Sequence, residues 1–207
     1  MKKAPLTLAL PKGRLFDQVI EHLAERGRPV RVEDRRLVAE DAAGSLRIFL
    51  VKNSDLPVYV SHGIAGLGIC GEDVLYESGA VFFELLDFAF GGTRMCLAAR
   101  EEAAGEARPG RLKIATKFPR FTRDHFHRRG VPVEIIKLNG SVELAPVLGL
   151  APYIVDLVET GSTLKANRLA VVEELAPVGV KLVANPAYYK VNYKSVDDFV
   201  EFLKETV

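Results

Sequence analysis

The chain has 207 residues, of which 48% are hydrophobic and 27% are charged. This composition is typical of a globular protein with one large or two modest hydrophobic cores. The formal net charge of +1 excludes a general electrostatic attraction for nucleic acid, so any affinity for phosphate must come from a local site. No apolar run is long enough to predict a membrane span.

The chain shows no sign of export or of covalent and transition-metal chemistry. Cys70 and Cys96 lie in apolar segments, which predicts free buried thiols and a reducing, cytoplasmic location. The first apolar run, 6–10, stops at Pro11 without a cleavage site of small residues, so no signal peptide is predicted. The histidines and cysteines lack the spacing of a protein metal site.

Apolar runs and helical periodicities alternate along the chain, which predicts an α/β fold. Strands are predicted at 6–10, 46–51, 66–71, 81–90, 95–99, 112–116, 133–138 and 153–158. Helices are predicted at 16–27, 72–77 and 122–129, and a last one begins at a cap formed by Ser195.

Two pairs of chain-breaking residues flank the middle of the sequence. Gly91-Gly92 and Asn185-Pro186 predict two crossings of the chain between two lobes. Lobe I is then discontinuous, with residues 1–91 and 185–207, and lobe II comprises residues 92–184. A ligand site is expected in the cleft between the lobes.

The stretch from Tyr153 to Leu164 is the strongest functional signal. An apolar strand leads into two carboxylates, Asp156 and Glu159, and then into the turn Thr160-Gly161-Ser162-Thr163, which opens a helix. The acids suit the vicinal diol of a ribose, and the hydroxyls and helix-start amides suit its 5-phosphate. The same residues also fit a plain strand-to-helix turn, with Ser162 or Thr163 as the cap and acids matching the helix dipole.

A second anion site is predicted in the turn after the first strand. Lys12 and Arg14 flank Gly13 at the start of a helix, where free backbone amides already favour negative charge. Pyrophosphate or triphosphate is the functional interpretation, and a solvated basic turn is the alternative.

The segment 66–71 matches the pattern G-x-G-x-x-G of dinucleotide-binding proteins. That motif requires its glycines after a strand, whereas here they lie within one, so close strand packing is the better explanation. Glu72 and Asp73 follow at the carboxyl end of this strand, where ligands of open α/β sheets bind.

Several of these segments together resemble the ATP phosphoribosyltransferase family. The resemblance lies in 156–167 and in 10–15, and continues through 53–60, 71–75 and 90–94 in the expected order. It implies a two-lobed α/β fold similar to type II periplasmic binding proteins, with the active site in the interlobe cleft. It also implies the short form of the enzyme, without a C-terminal regulatory domain.

The resemblance implies a reaction and a set of residue roles. In this family N1 of ATP displaces pyrophosphate from phosphoribosyl pyrophosphate, with Mg²⁺ bridged by the substrate, in the first step of histidine biosynthesis. The implied catalytic residues are Lys12, Arg14, Asp156 and Glu159. The implied phosphoribosyl pyrophosphate site is Asp156, Glu159, Thr160, Gly161, Ser162 and Thr163. The implied site for ATP or pyrophosphate is Lys12, Gly13, Arg14, Glu72, Asp73, Arg94 and Lys117.

The resemblance also implies partners. Short forms act with a regulatory subunit resembling histidyl-tRNA synthetase, as a hetero-octamer, and a homodimer of catalytic subunits is expected within it. Two other functions remain open from the sequence. One is a salvage-type phosphoribosyltransferase that uses a free base, although such enzymes place their two acids side by side, whereas Leu157 and Val158 separate them here. The other is a non-catalytic two-lobed binding module.

Overall fold

A computed structural model describes residues 4–31, 35–104 and 110–204. The strands in these residues are β1 (Leu6–Pro11), β2 (Val38–Glu40), β3 (Leu46–Val51), β4 (Leu67–Gly71), β5 (Phe83–Arg100), β6 (Leu112–Thr116), β7 (Val133–Lys137), β8 (Tyr153–Val158) and β9 (Leu169–Ala184). The α-helices are α1 (Arg14–Glu25), α2 (Leu56–Ser61), α3 (Glu72–Ser78), α4 (Pro119–Arg128), α5 (Leu144–Val147), α6 (Ser162–Ala166) and α7 (Pro186–Lys204). The α/β prediction is confirmed.

The chain divides into two compact units. Unit 1 comprises residues 1–91 and 179–207, and unit 2 comprises residues 92–178. In unit 1 the strand order is β2-β3-β1-β4-β9. The neighbours β3, β1 and β4 are parallel, and β9 runs antiparallel to β4. The core of this unit packs the buried faces of α1 and α7 against these strands, with Leu8, Val19 and Phe199 among its members.

In unit 2 the strand order is β9-β5-β8-β6-β7. The strands β8, β6 and β7 are parallel, and β5 runs antiparallel to β8. Successive residues of β5 enter different cores: Met95 and Leu97 join the cluster around Phe126, while Cys96 joins the cluster around Leu164. This alternation is the two-residue period of a strand that is covered on both faces.

Both long strands pass through both units, and this corrects two sequence predictions. The first boundary between the units falls at 91/92, where the sequence placed it, but the strands predicted at 81–90 and 95–99 are one strand. Strand β5 continues from Phe83 to Arg100, with Gly91 at φ +73° inside it, an angle that glycine tolerates without ending the pairing. The second boundary lies at 178/179 and not at 184/185, because the last residues of β9 pair with β4, from Val180 to Ala184.

The sequence missed β9 and placed the start of the last helix too late. Asn185-Pro186 does not break the structure but opens α7: the Asn185 Oδ1 accepts hydrogen bonds from the backbone N–H groups of Ala187 and Tyr188, at 2.9 and 3.0 Å. Asparagine in this capping position, followed by proline in the first turn, is a strong helix start. Ser195 lies in the middle of the helix.

Within the described ranges, no helix combines the length and the apolar character needed to cross a membrane. Both cysteines are buried free thiols.

Candidate active site

The strongest sequence motif forms a compact loop between β8 and α6. Strand β8 ends at Val158, and α6 begins at Ser162. Gly161 occupies the position before the helix with φ +77° and ψ 6°, a left-handed conformation that favours glycine. The Thr160 Oγ1 accepts the backbone N–H of Ser162 at 3.3 Å and donates to the Ser162 Oγ at 3.1 Å. The expected capping of the helix by Ser162 or Thr163 is replaced by this arrangement.

Asp156 lies at the carboxyl end of β8 and is the buried acid of the motif, with 9% of its surface exposed. Its Oδ1 accepts the backbone N–H of Leu157 at 2.8 Å. The same oxygen lies 3.1 Å from the Nζ of Lys117, which follows the neighbouring strand β6. Glu159, the second acid, is exposed at the start of the turn. The structure therefore places Lys117 beside the loop. The site for ATP or pyrophosphate that the family resemblance implies for Lys117 stays a prediction.

The loop lines a cavity of about 260 Å³ that lies wholly within unit 2. All of the residues from Asp156 to Leu164 contribute to its wall. Thr93 on β5 and Glu143 before α5 complete the lining, and sequence reasoning missed both. Thr93 lies in the segment 90–94 that carries part of the family resemblance, but no role was assigned to it there. Glu143 lies in no such segment.

The second predicted anion site lies in unit 1, in the turn between β1 and α1. Lys12 and Arg14 are exposed on either side of Gly13, which has φ +102°. Since β1 and β4 are parallel neighbours, their carboxyl ends lie at one edge of the sheet. The turn at Lys12 therefore shares that edge with Glu72 and Asp73, at the start of α3.

Glu72 is already bound by groups of the protein. Its Oε2 accepts the backbone N–H of Gly179 at 2.8 Å, and its Oε1 lies 3.3 Å from the Nζ of Lys181. The same Nζ contacts Glu84 at 3.1 Å and Asp87 at 2.6 Å. Hydrogen bonds to Asp87, Glu84 and Glu72 outweigh partial burial and raise the pKa of Lys181. This cluster joins α3, β5 and β9 and gives Glu72 a structural task.

The remaining predicted residues also have local partners. Asp73 is buried, with 7% of its surface exposed. The Arg94 guanidinium, in unit 2, contacts Glu174 on β9 at 3.0 Å.

Burial raises the pKa of both thiols, Cys70 and Cys96, so neither is prepared as a thiolate nucleophile.

Among the described residues, no three histidine, cysteine or acidic side chains are grouped to hold a metal ion. The arrangement in unit 2 is instead a binding loop: a buried carboxylate with a lysine, an exposed carboxylate, hydroxyl groups and a left-handed glycine around one cavity. It is suited to a ligand that carries both hydroxyls and an anionic group. With the two α/β units, this places the chain in the class of two-unit α/β proteins that carry a polar cavity at a strand-to-helix loop.

Comparisons with known proteins identify the family. The family model described as HisG, ATP phosphoribosyltransferase, matches residues 52–205. A protein of Thermoanaerobacter sp. (strain X514) with that name is 42% identical over 98% of this chain and 96% of its own length. One of Moorella thermoacetica is 44% identical over 96% of this chain and 92% of its own. The chain belongs to the ATP phosphoribosyltransferase family.

Solved structures agree with this assignment. A chain of the ATP phosphoribosyl transferase (HisG:HisZ) complex from Thermotoga maritima superposes with a TM-score of 0.82 and 38% identity, and the match covers 96% of each chain. The alkanesulfonate-binding protein SsuA from Xanthomonas axonopodis pv. citri superposes with a TM-score of 0.62 at 11% identity, over 98% of this chain and 73% of that one. The second likeness shows the fold alone and confirms the predicted similarity to binding proteins.

Proposed function

We infer that this protein transfers the phosphoribosyl group of phosphoribosyl pyrophosphate to N1 of ATP, giving phosphoribosyl-ATP and pyrophosphate in the first step of histidine biosynthesis. Membership of the family supports this reaction. The observation in the structure that carries it is the loop from Asp156 to Thr163, which lines one cavity with both acids and hydroxyls. A salvage-type reaction with a free base is not favoured, because the relatives share the ATP phosphoribosyltransferase name.

We propose that the loop binds the phosphoribosyl moiety. Asp156 and Glu159 accept hydrogen bonds from the ribose hydroxyls, since an ionised carboxylate is an acceptor and a diol donates twice. The hydroxyls of Thr160, Ser162 and Thr163 donate to the 5-phosphate. Gly161 allows the backbone to approach that phosphate without a side chain in the way.

The chemistry requires positioning and charge stabilisation, and no protein nucleophile. The bond from C1 of ribose to pyrophosphate breaks as the bond to N1 of ATP forms, so positive charge develops at C1 and negative charge on the leaving group. We propose Lys12 and Arg14, flanking Gly13, as the cations for the pyrophosphate or ATP phosphates. Asp73 and Arg94 remain weaker candidates for this site, and Glu72 weaker still because of its internal contacts.

We propose that Mg²⁺ enters as part of the substrate, bound to phosphate oxygens and water. Mg²⁺ is commonly held by substrate phosphates with one or two carboxylates, and not by an all-protein cage. Glu143 and Glu159 line this cavity, and their role would be to orient the hydrated metal–substrate complex.

The Thermotoga maritima neighbour was solved as a HisG:HisZ complex, and we propose that this protein also acts with a regulatory subunit of that kind. A hetero-octamer with a subunit resembling histidyl-tRNA synthetase, built on catalytic homodimers, remains a prediction. The two buried free thiols support a reducing, cytoplasmic location.

Calorimetry with phosphoribosyl pyrophosphate and Mg²⁺ tests the binding loop. The variant Thr163→Val removes a hydroxyl from the cavity, and we expect it to weaken binding by about tenfold, the effect of one hydrogen bond to a charged group. Thr163→Ser keeps the hydroxyl and should bind like the wild type. Equal affinity of all three proteins would show that the loop does not bind the phosphoribosyl group.

A further inference from the structure

The contact between Lys117 and Asp156 suggests a task for Lys117 that differs from phosphate binding. We propose that Lys117 is a positioning residue for Asp156: it holds one carboxylate oxygen and leaves the other to accept a hydrogen bond from the ribose diol. This inference rests on the proposed function and names how the same site orders its buried acid.

The strand register places the two side chains together. Strands β6 and β8 are parallel, and Thr116 at the end of β6 pairs with Val155. The next residue along the chain is therefore Lys117, just after β6, on one side and Asp156, within β8, on the other. The buried Thr116 fixes this end of β6, because its Oγ1 donates to the Val155 carbonyl at 2.6 Å and accepts the backbone N–H of Phe118 at 2.9 Å.

The hydrogen bonds of Asp156 are divided unequally between its two oxygens. The Oδ1 takes both the Leu157 N–H at 2.8 Å and the Lys117 Nζ at 3.1 Å. Among the described residues, no donor contacts the Oδ2. A carboxylate with one oxygen fixed at two donors cannot rotate freely, so the second oxygen is presented in one orientation. Such pre-organisation lowers the entropic cost of binding a diol.

The charge of Lys117 also matters for an anionic substrate. Three carboxylates, Glu143, Asp156 and Glu159, line the cavity into which phosphate groups must enter. Like charges at this range repel, and a lysine in contact with Asp156 reduces the repulsion. The Lys117 side chain is 39% exposed and that of Asp156 is 13% exposed, so solvent screens the pair in part and the effect is moderate.

A direct contact from Lys117 to the leaving pyrophosphate is the competing role, and a choice of ligands separates the two. Ribose 5-phosphate carries the diol and the 5-phosphate but no pyrophosphate. A lysine that acts through Asp156 affects the binding of ribose 5-phosphate and phosphoribosyl pyrophosphate alike. A lysine that binds pyrophosphate affects only the second ligand.

The experiment is calorimetry of both ligands with the wild type and with single and double variants. Lys117→Met should lower the affinity for both ligands by about three- to tenfold, the range expected for the loss of a partly exposed charged contact. Lys117→Arg keeps the charge and should restore most of the affinity. Lys137→Met, at an exposed lysine on the adjacent strand β7, is the matched control and should bind like the wild type. In an Asp156→Asn background, Lys117→Met should cause no further loss of affinity for ribose 5-phosphate.

Several results would overturn the proposal. Weaker binding of phosphoribosyl pyrophosphate with unchanged binding of ribose 5-phosphate would make Lys117 a pyrophosphate ligand. Additive losses with Asp156→Asn would show that it acts independently of that acid. If the wild type binds neither ligand, the proposed function fails together with the inference, whereas equal binding by wild type and Lys117→Met overturns the inference alone.

Discussion

The left-handed conformation of Gly161 makes the variant Gly161→Ala a quantitative test of the binding loop. A Cβ at this position would meet nothing closer than the Val158 Cγ1 at 3.9 Å, so the substitution causes no collision. The cost is then backbone strain alone, about 1–2 kcal/mol for an L-residue at this angle. The strain lowers stability if the loop keeps its shape, and lowers ligand affinity if the loop relaxes and must be restored on binding.

We therefore expect the losses in unfolding free energy and in binding free energy of phosphoribosyl pyrophosphate to sum to about 1–2 kcal/mol. Expressed as stability alone, that corresponds to a melting temperature lower by about 2–8 °C. The affinity for phosphoribosyl pyrophosphate should fall by at least about threefold, because Gly161 lies in the wall of the cavity. Thermal melts and calorimetry on the same samples measure both parts.

Gly130 provides a matched control. It has φ +68°, no atom would lie within 4 Å of a Cβ added there, and it follows α4, outside the cavity lining. Gly130→Ala should lose similar stability and keep the full affinity. Unchanged stability and affinity in Gly161→Ala would refute the argument from backbone conformation. An equal loss of affinity in Gly130→Ala would show that the effect does not come from the loop.

Three further predictions concern charged groups. Lys12→Ala should lower kcat/KM by about tenfold or more, since it removes a cation proposed for the leaving group, while circular dichroism melts should match the wild type because Lys12 is exposed. In Lys181→Met, Glu72, Glu84 and Asp87 lose their shared cation. The free energy of unfolding should fall by about 1 kcal/mol, which lowers the melting temperature by about 2–4 °C at pH 7 in low salt. The His22 ring contacts the Leu203 carbonyl at 3.0 Å, and burial is the main cause that lowers its pKa in the folded protein. As the pH falls, His22 therefore takes up a proton in the unfolded chain at a higher pH than in the folded protein. The free energy of unfolding should decrease as the pH drops below about 6.5.

Each of these predictions can be contradicted. Wild-type turnover of Lys12→Ala would make that residue a surface lysine. A Lys181→Met protein as stable as the wild type would mean that the three carboxylates need no counter-ion. For histidine, the comparison is His22→Phe across a pH range from about 7 to about 5: if the variant loses stability as steeply as the wild type, the acid sensitivity comes from other groups, among which His125 has a pKa lowered by burial in the same direction.

The local part of the site was predictable from the sequence, because its residues are contiguous. The strand, the acids and the small turn from Asp156 to Thr163 form one segment, so their order alone indicates a loop that opens a helix. The contact of Lys117 with Asp156 depends on the parallel pairing of β6 with β8, which brings together residues from distant parts of the chain. Thr93 and Glu143 reach the cavity in the same non-local way.

The errors in the fold predicted from the sequence come from treating glycine, proline and polar residues as ends of secondary-structure elements. Gly91-Gly92 lies inside the long strand β5, where pairing with neighbouring strands maintains the extended backbone. Strand β9 contains Glu173, Pro177 and Gly179, and its first half is only partly buried, so its sequence lacks a continuous apolar run. Tertiary pairing stabilises such a strand despite weak local preference.

The most direct test of the account is the identity of the product. The purified chain, alone and with a HisZ-type subunit, is incubated with ATP, phosphoribosyl pyrophosphate, Mg²⁺ and pyrophosphatase, with free bases as competing acceptors, and the nucleotides are identified by mass spectrometry. We expect phosphoribosyl-ATP as the product and no ribosylated base. A nucleoside monophosphate formed from a free base, or no transfer to ATP even with the partner subunit, would contradict it.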